Sequence, residues 1–347
     1  MIACDYGTLP AGEEVREFTL ENSQGMVAKI IEYGATLTEL HVPDARGQST
    51  DVVLGFKNLD GYLGSHPFFG ATIGRVAGRI TGGKFSLAGR GYALAINHPP
   101  NHLHGGHAGF DKRVWRGQRV LNTPAGSTAV NFFRCSPDGE EGYPGQVELA
   151  VTYSLTAENE LVIQYEATAD RATPLSLTHH SYFNLSGEGS GDIANHQLQI
   201  NADAVTATNA DMTQLGYAEP VAGKPNDLNR PQRLGDVISK LLNQHGDNYL
   251  LRRNQPGALV PAARLYDPTS GRAMEVFTTE ACLQLYSAAV LDGTLIGKSG
   301  RHYPKFGGLC LECQGYPDGV NTPELGDIIL RPGGTYRQTT IYRFTNT

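Results

Sequence analysis

The chain has 347 residues, enough for a large core, and its 42 Gly and 19 Pro against 40% hydrophobic residues favour many short strands joined by tight turns over long helices. The formal charge is -7 with no basic run, which argues against nucleic acid and against an anionic membrane surface as partners. Five cysteines do not suggest a disulfide scaffold, and Met1-Ile2-Ala3-Cys4-Asp5 opens no basic and apolar leader, so a cytoplasmic protein with reduced thiols is expected.

Val15–Leu20 and Met26–Ile31 flank a polar turn and predict paired strands. Ile30–Leu37, Leu40–Val42 and Asp51–Gly55 extend the pattern. The segment Phe68–Ile80 is punctuated by Gly and carries Arg75 and Arg79, four apart. Taken alone, these read as two surface ion pairs, or as a guanidinium fork aimed at hydroxyls or a carboxylate. Asn97–His107 packs four histidines into a loop rich in Pro and Gly. His102 and His104 could ligate a metal, lie in solvent, or supply an acid, base or donor; no Glu or Cys stands at a convenient spacing, and no metal is expected.

Val130–Cys135, Val147–Leu155 and Leu161–Thr168 predict an antiparallel meander. At Thr178–Leu185 two adjacent histidines must face opposite sides of a strand, so one can be structural while the other enters a cavity. Residues 198–230 read as irregular. Apolar residues at 234, 237, 238, 241 and 242 fit one amphipathic helix, with Pro231 near its start. Ala262–Pro268 with Arg272–Thr278 reads as a hairpin, and Ala281–Ala289 as a strand with Gln284 and Tyr286 on one face. Tyr336–Phe344 is the last strand. No repeat or linker interrupts this order, so residues 1–347 are expected to form one large domain of packed antiparallel sheets.

Gly308–Asn321 reads as a buried strand running into a turn. Glu312 interrupts its apolar run and shares a face with Cys310, while Leu309, Leu311 and Cys313 take the other. A carboxylate there is paired, exposed at a strand end, or kept for chemistry. Cys310 and Cys313 point to opposite faces, which disfavours a zinc or redox pair and leaves them as packing. No phosphate loop, dinucleotide fingerprint or nucleophile elbow occurs. Acid–base chemistry without a cofactor needs little more than Glu312 as base and His180 or His104 as acid. Arg79, Asp247 and Gln284 can hold hydroxyls, and Tyr286 can offer a ring face.

Six motifs in order resemble the aldose 1-epimerase family over nearly the whole chain. They are Gly74–Ile80, Asn101–Gly106, Gly109–Trp115, His180–Leu185, Leu291–Thr294 and Leu311–Gln314, with Pro317, Asp318 and Asn321 close behind. The resemblance implies an all-β fold, a large antiparallel β-sandwich of the supersandwich type with few short helices. It implies interconversion of the α and β anomers of a free aldose, with Glu312 as base on the C1 hydroxyl, His180 as acid on the ring oxygen and His104 hydrogen-bonding near that oxygen. Arg79 and Gln284 match the family's substrate-binding Arg and Gln. The implied partner is a small aldose, with no cofactor, in a monomer or weak homodimer. Two alternatives remain on the same fold, a catalytically silent sugar-binding module and an epimerase for a phosphorylated sugar. The chain departs from the family at Gly78, where Asn is common, and at Gly246-Asp247. Without a gap the family's sugar-binding Asp falls on Gly246, and with a one-residue gap on Asp247.

Overall fold

The computed structural model describes residues 2–241 and 246–346. Alternation dictates its strands. In Val147–Leu155 the odd-numbered Val, Leu and Tyr side chains are buried and the residues between them face outward. That strand is third in a nine-stranded sheet ordered Arg116–Arg119, Thr128–Ser136, Val147–Leu155, Glu160–Ala169, Tyr336–Asn346, Arg272–Thr278, Val260–Tyr266, Gln197–Ile200 and Gln232–Arg233. A five-stranded meander runs from Ile2–Thr8 to Ser49–Asp51. A second five-stranded sheet is ordered Gln214–Pro220, Ala202–Thr208, Asn248–Leu251, Cys282–Tyr286 and Cys310–Gln314. Every strand pair is antiparallel, whether in these sheets or in the four two-stranded ribbons. One core joins all three large sheets, through Phe18 and Leu20, Val151 and Tyr342, and Leu283 and Leu311. The all-β expectation is met, and the helices are short turns such as Leu59–Leu63.

Several expectations change. Residues 198–230 are not irregular: they contain most of Gln197–Ile200 and all of Ala202–Thr208 and Gln214–Pro220. Gln214–Pro220 is an edge strand with no fully buried side chain, so it lacks the apolar alternation that marks a strand in sequence. The helix predicted from 234 is α-helical only over Leu234–Val237 and tightens to a 3-10 turn over Ile238–Lys240, while Leu242 lies outside the described residues. The strand predicted over Asp51–Gly55 ends at Asp51. Beyond it the chain stays extended through single bonds, Val52 N–H to Leu40 O and Leu54 N–H to Tyr182 O.

Cys310–Gln314 is buried at all five residues, although it pairs with a strand on one side only. Its open edge is closed by side chains. Tyr342 Oη donates to Leu311 O, and Thr178 Oγ1 and Gln338 Nε2 donate to Cys313 O. An edge that would otherwise leave buried carbonyls unpaired is thereby satisfied and held rigid. Leu311 and Cys313 enter the main core, which turns Glu312 to the opposite face.

Candidate active site

The site grows from one polar row on that face. Asn248 pairs with Gln284, and Gln284 with Glu312, across three adjacent strands. Gln284 and Glu312 of that row line a cavity of about 180 Å³. Glu312, His180, His104, Arg79, Gln284 and Tyr286 all line it, although they come from separate parts of the chain. A larger depression of about 760 Å³ crosses the nine-stranded sheet between Arg116 and Arg337, but none of these six residues borders it.

Glu312 Oε1 lies 3.5 Å from His180 Nε2, and both residues are buried. Burial pushes the Glu312 carboxyl up to about 8, with nearby Arg79 pulling the other way. Burial pushes His180 down to about 4. Near neutral pH the pair therefore holds one proton between its two groups. Among the described residues, Glu312 Oε2 has no hydrogen-bond partner.

His104 is gripped by Gly78 from two sides. Gly78 N–H donates to His104 Nδ1 at 3.1 Å, and His104 N–H donates to Gly78 O at 3.0 Å. Burial, and then the neighbouring His180 and Arg79, keep the ring neutral, with its pKa well below the usual histidine range. With Nδ1 accepting, the hydrogen sits on Nε2, and His104 is a donor. One ligand atom from each of His104, His180 and Glu312 lies within 4.8 Å of the others, close enough to hold an ion. The donor set does not fit one, because Nδ1 of His104 is occupied and Nε2 carries hydrogen, so neither nitrogen is bare. His102 faces away from the cavity, its Nδ1 near Ala95 O and its Nε2 near Tyr143 Oη, both at 2.8 Å. His179 turns into the core between Tyr153 and Tyr342, as alternation requires of the residue before His180.

The two arginines of one segment divide their work. Arg79 enters the cavity, where its Nε is without a partner among the described residues. Arg75 is fully buried and bonded to neutral acceptors, so the surface ion pairs considered for these two do not form. Arg113 pairs with Glu140, and Lys305 packs over Phe306. Among the described residues, Arg79 is the one Lys or Arg in the cavity wall.

Asp247 is not part of that wall. Burial pushes its carboxyl up to about 6, beside Asn226, while its backbone carbonyl accepts from Leu285 N–H at 2.9 Å. Gly246 has φ +82, and a Cβ there would sit 1.7 Å from Leu285 O. Only glycine lets the chain pass this close to the strand carrying Gln284, so an aspartate cannot occupy position 246 on this backbone.

Sequence reasoning missed Phe68. Its ring lies edge-on to His104 with centroids 4.9 Å apart, and 5.6 Å from His180. Phe68 and His104 both have positive φ, +60 and +51. Two non-glycine residues strained in this way and packed on each other mark a functional site, but nothing in the sequence signals it. Cys310, read as packing, has Sγ 3.5 Å from His180 Nδ1 and is that ring nitrogen's neighbour. Replacing Phe68 by Ala should open the imidazoles to water and lower kcat/KM about tenfold. Replacing it by Gly, which relaxes the backbone, should give the same loss; restored activity in the Gly variant alone would shift the role from ring to strain.

The fold and this cavity define a class, a large antiparallel sandwich with a carboxyl–imidazole pair buried beside Arg79, Gln284 and Tyr286. A sequence profile of the aldose 1-epimerase family matches residues 16–343. The chain is 45% identical to the galactose mutarotase of Rattus norvegicus over 343 residues, 98% of this chain and 97% of that protein. It is 34% identical to the aldose 1-epimerase of Escherichia coli (strain K12) over 342 residues, 96% of each. The crystal structure of a GalM/aldose epimerase homologue from C. elegans superposes with a TM-score of 0.87 at 29% identity, covering 95% of this chain and 99% of that one. The chain belongs to the aldose 1-epimerase family, and it is an isomerase.

Proposed function

We propose that the chain interconverts the α and β anomers of free hexoses such as D-galactose and D-glucose by opening and reclosing the pyranose ring. The observation that carries this reading is the buried Glu312–His180 pair, 3.5 Å apart at one cavity wall. Likeness at 45% identity to galactose mutarotases supports D-galactose as a substrate. Arg79, the one Lys or Arg in the wall among the described residues, suits a neutral sugar better than a phosphorylated one.

Glu312 is the base and His180 the acid. In the reactive form of the pair its one proton has passed from Glu312 to His180 Nε2; the carboxylate so formed takes the proton of the C1 hydroxyl, the C1–O electron pair becomes a carbonyl, and the bond from C1 to the ring oxygen breaks. His180 Nε2–H delivers a proton to that oxygen. Rotation about C1–C2 turns the other carbonyl face toward the new hydroxyl. The hydroxyl attacks, His180 recovers its proton, and Glu312 returns the first proton to O1. His104 Nε2–H donates near the ring oxygen, while Arg79, Gln284 and Tyr286 hold the ring. Asp247 is left out of these contacts.

The cycle begins with one proton on the pair and ends with one. The pair gains a second proton as pH falls through about 4 and loses its last as pH rises through about 8. Polarimetry on fresh α-D-galactose should therefore give a bell-shaped kcat/KM, falling on the acid side of about 4 and the alkaline side of about 8. A rate no faster than the spontaneous one at every pH would end the proposal.

A further inference from the structure

Gln314 lies one pleat beyond Glu312 on the same face of the strand, and it lines the same cavity. It is 1% exposed, yet among the described residues its Oε1 has no hydrogen-bond partner. Its other amide atom is fixed, because Nε2 donates to Asn248 Oδ1 at 3.3 Å, and Asn248 is itself buried. With the two amides paired in this way, the Gln314 oxygen is turned to the remaining side. The backbone opposite is Gly78, at φ +75. A Cβ there would lie 3.5 Å from Gln314 Nε2, so the missing side chain leaves an unfilled space over the amide. A buried acceptor with no donor is destabilising, and such groups in a cavity wall are retained where a ligand supplies the donor.

We infer that Gln314 is a specificity-determining residue whose Oε1 accepts a hydrogen bond from one ring hydroxyl of the aldose. The inference rests on the reading above for the identity of the ligand. The cavity's proton-transferring groups, Glu312 and His180, serve C1 and the ring oxygen. Gln314 lies beside them on the sheet floor and meets a hydroxyl that takes no part in the proton transfers. It is neutral and fixed at one end by Asn248, so it selects for the position of a hydroxyl and carries no charge into the reaction.

The test is a series of D-galactose and its 2-, 3-, 4- and 6-deoxy forms, with wild type and Gln314→Leu, read both as Kd by calorimetric titration and as kcat/KM by polarimetry. In wild type, the sugar lacking the recognised hydroxyl should bind and react about tenfold to a hundredfold less well. In Gln314→Leu that gap should close to within about twofold for that one sugar, mainly through KM, while the gaps for the other deoxy sugars persist. A uniform drop for all five sugars, or no change, would overturn the inference and leave Gln314 a packing residue. If the leucine variant does not fold, Gln314→Met, which also lacks the acceptor oxygen, takes its place, and a gap that stays open for every deoxy sugar in that variant would count equally against the inference. Binding without accelerated anomerisation would refute the proposed activity while the deoxy series still decides the role of Gln314, and no binding of any aldose would refute both.

Discussion

Replacing Glu312 by Gln should abolish most of the catalysed anomerisation and at the same time make the protein more stable. The amide has the shape of the carboxyl but accepts no proton from the C1 hydroxyl, so kcat should fall by roughly 10²–10⁴, the usual worth of a positioned base. The gain in stability follows from the same burial. In the fold the carboxyl keeps its proton up to about 8, against 4.5 for the free group. Below 4.5 it is neutral folded and unfolded, and the substitution changes little. Between 4.5 and about 8 the unfolded chain releases the proton while the folded chain retains it, so the wild type loses stability as pH rises. The glutamine variant has no such loss. Its advantage in denaturant unfolding should grow across that window to the order of 3 kcal/mol at pH 7. A constant gap between pH 5 and 8 would mean that the carboxyl is not held protonated by burial. A site that sacrifices stability for a poised proton is a common trade in enzymes.

How much of this was legible in sequence depends on whether a residue's role lies in its own segment or in what packs against it. Val147–Leu155 declares itself because burial on one face imposes alternation, and the opposite facings of His179 and His180 follow from the same period. Gln214–Pro220 carries no such signature, since an edge strand with little to bury needs no pattern. His102 and His104, two apart, look equivalent in sequence. They part because Gly105 and Gly106, at φ +85 and +108, let the loop turn against Gly74 and Gly78, so that one ring meets Tyr143 and the other the cavity. Phe68 was out of reach altogether, because a strained backbone at a bulky residue leaves no compositional trace.

Arg75 and Arg79 were also indistinguishable by type, and the second large effect concerns the one outside the cavity. Replacing Arg75 by Met should destabilise the fold by on the order of 4 kcal/mol. Its guanidinium makes five hydrogen bonds, Nε to Ser136 Oγ, Nη1 to Pro144 O and Thr173 Oγ1, and Nη2 to Ser136 O and Pro137 O. Burial pulls its pKa down to about 10, with Glu140 opposing, so the group stays charged at neutral pH. Methionine fills comparable space but leaves all five acceptors without that donor, and a buried acceptor stripped of its partner bears its full desolvation penalty. Lysine, with three donors and no planar fork, can serve at most part of the set, and Arg75→Lys should fall between wild type and Arg75→Met. The anchor matters to the site because Arg75 O accepts from Ser176 N–H and Gly105 lies directly on Gly74 O, which fixes the segment leading to Gly78 and Arg79. Urea unfolding measures the loss, and polarimetry well below the melting range separates it from catalysis. Arg75→Lys should keep kcat near wild type there while melting earlier, since Arg75 touches no part of the cavity wall. Arg75→Met within about 1 kcal/mol of wild type would show that water replaces the guanidinium and that the segment is held by its backbone bonds instead.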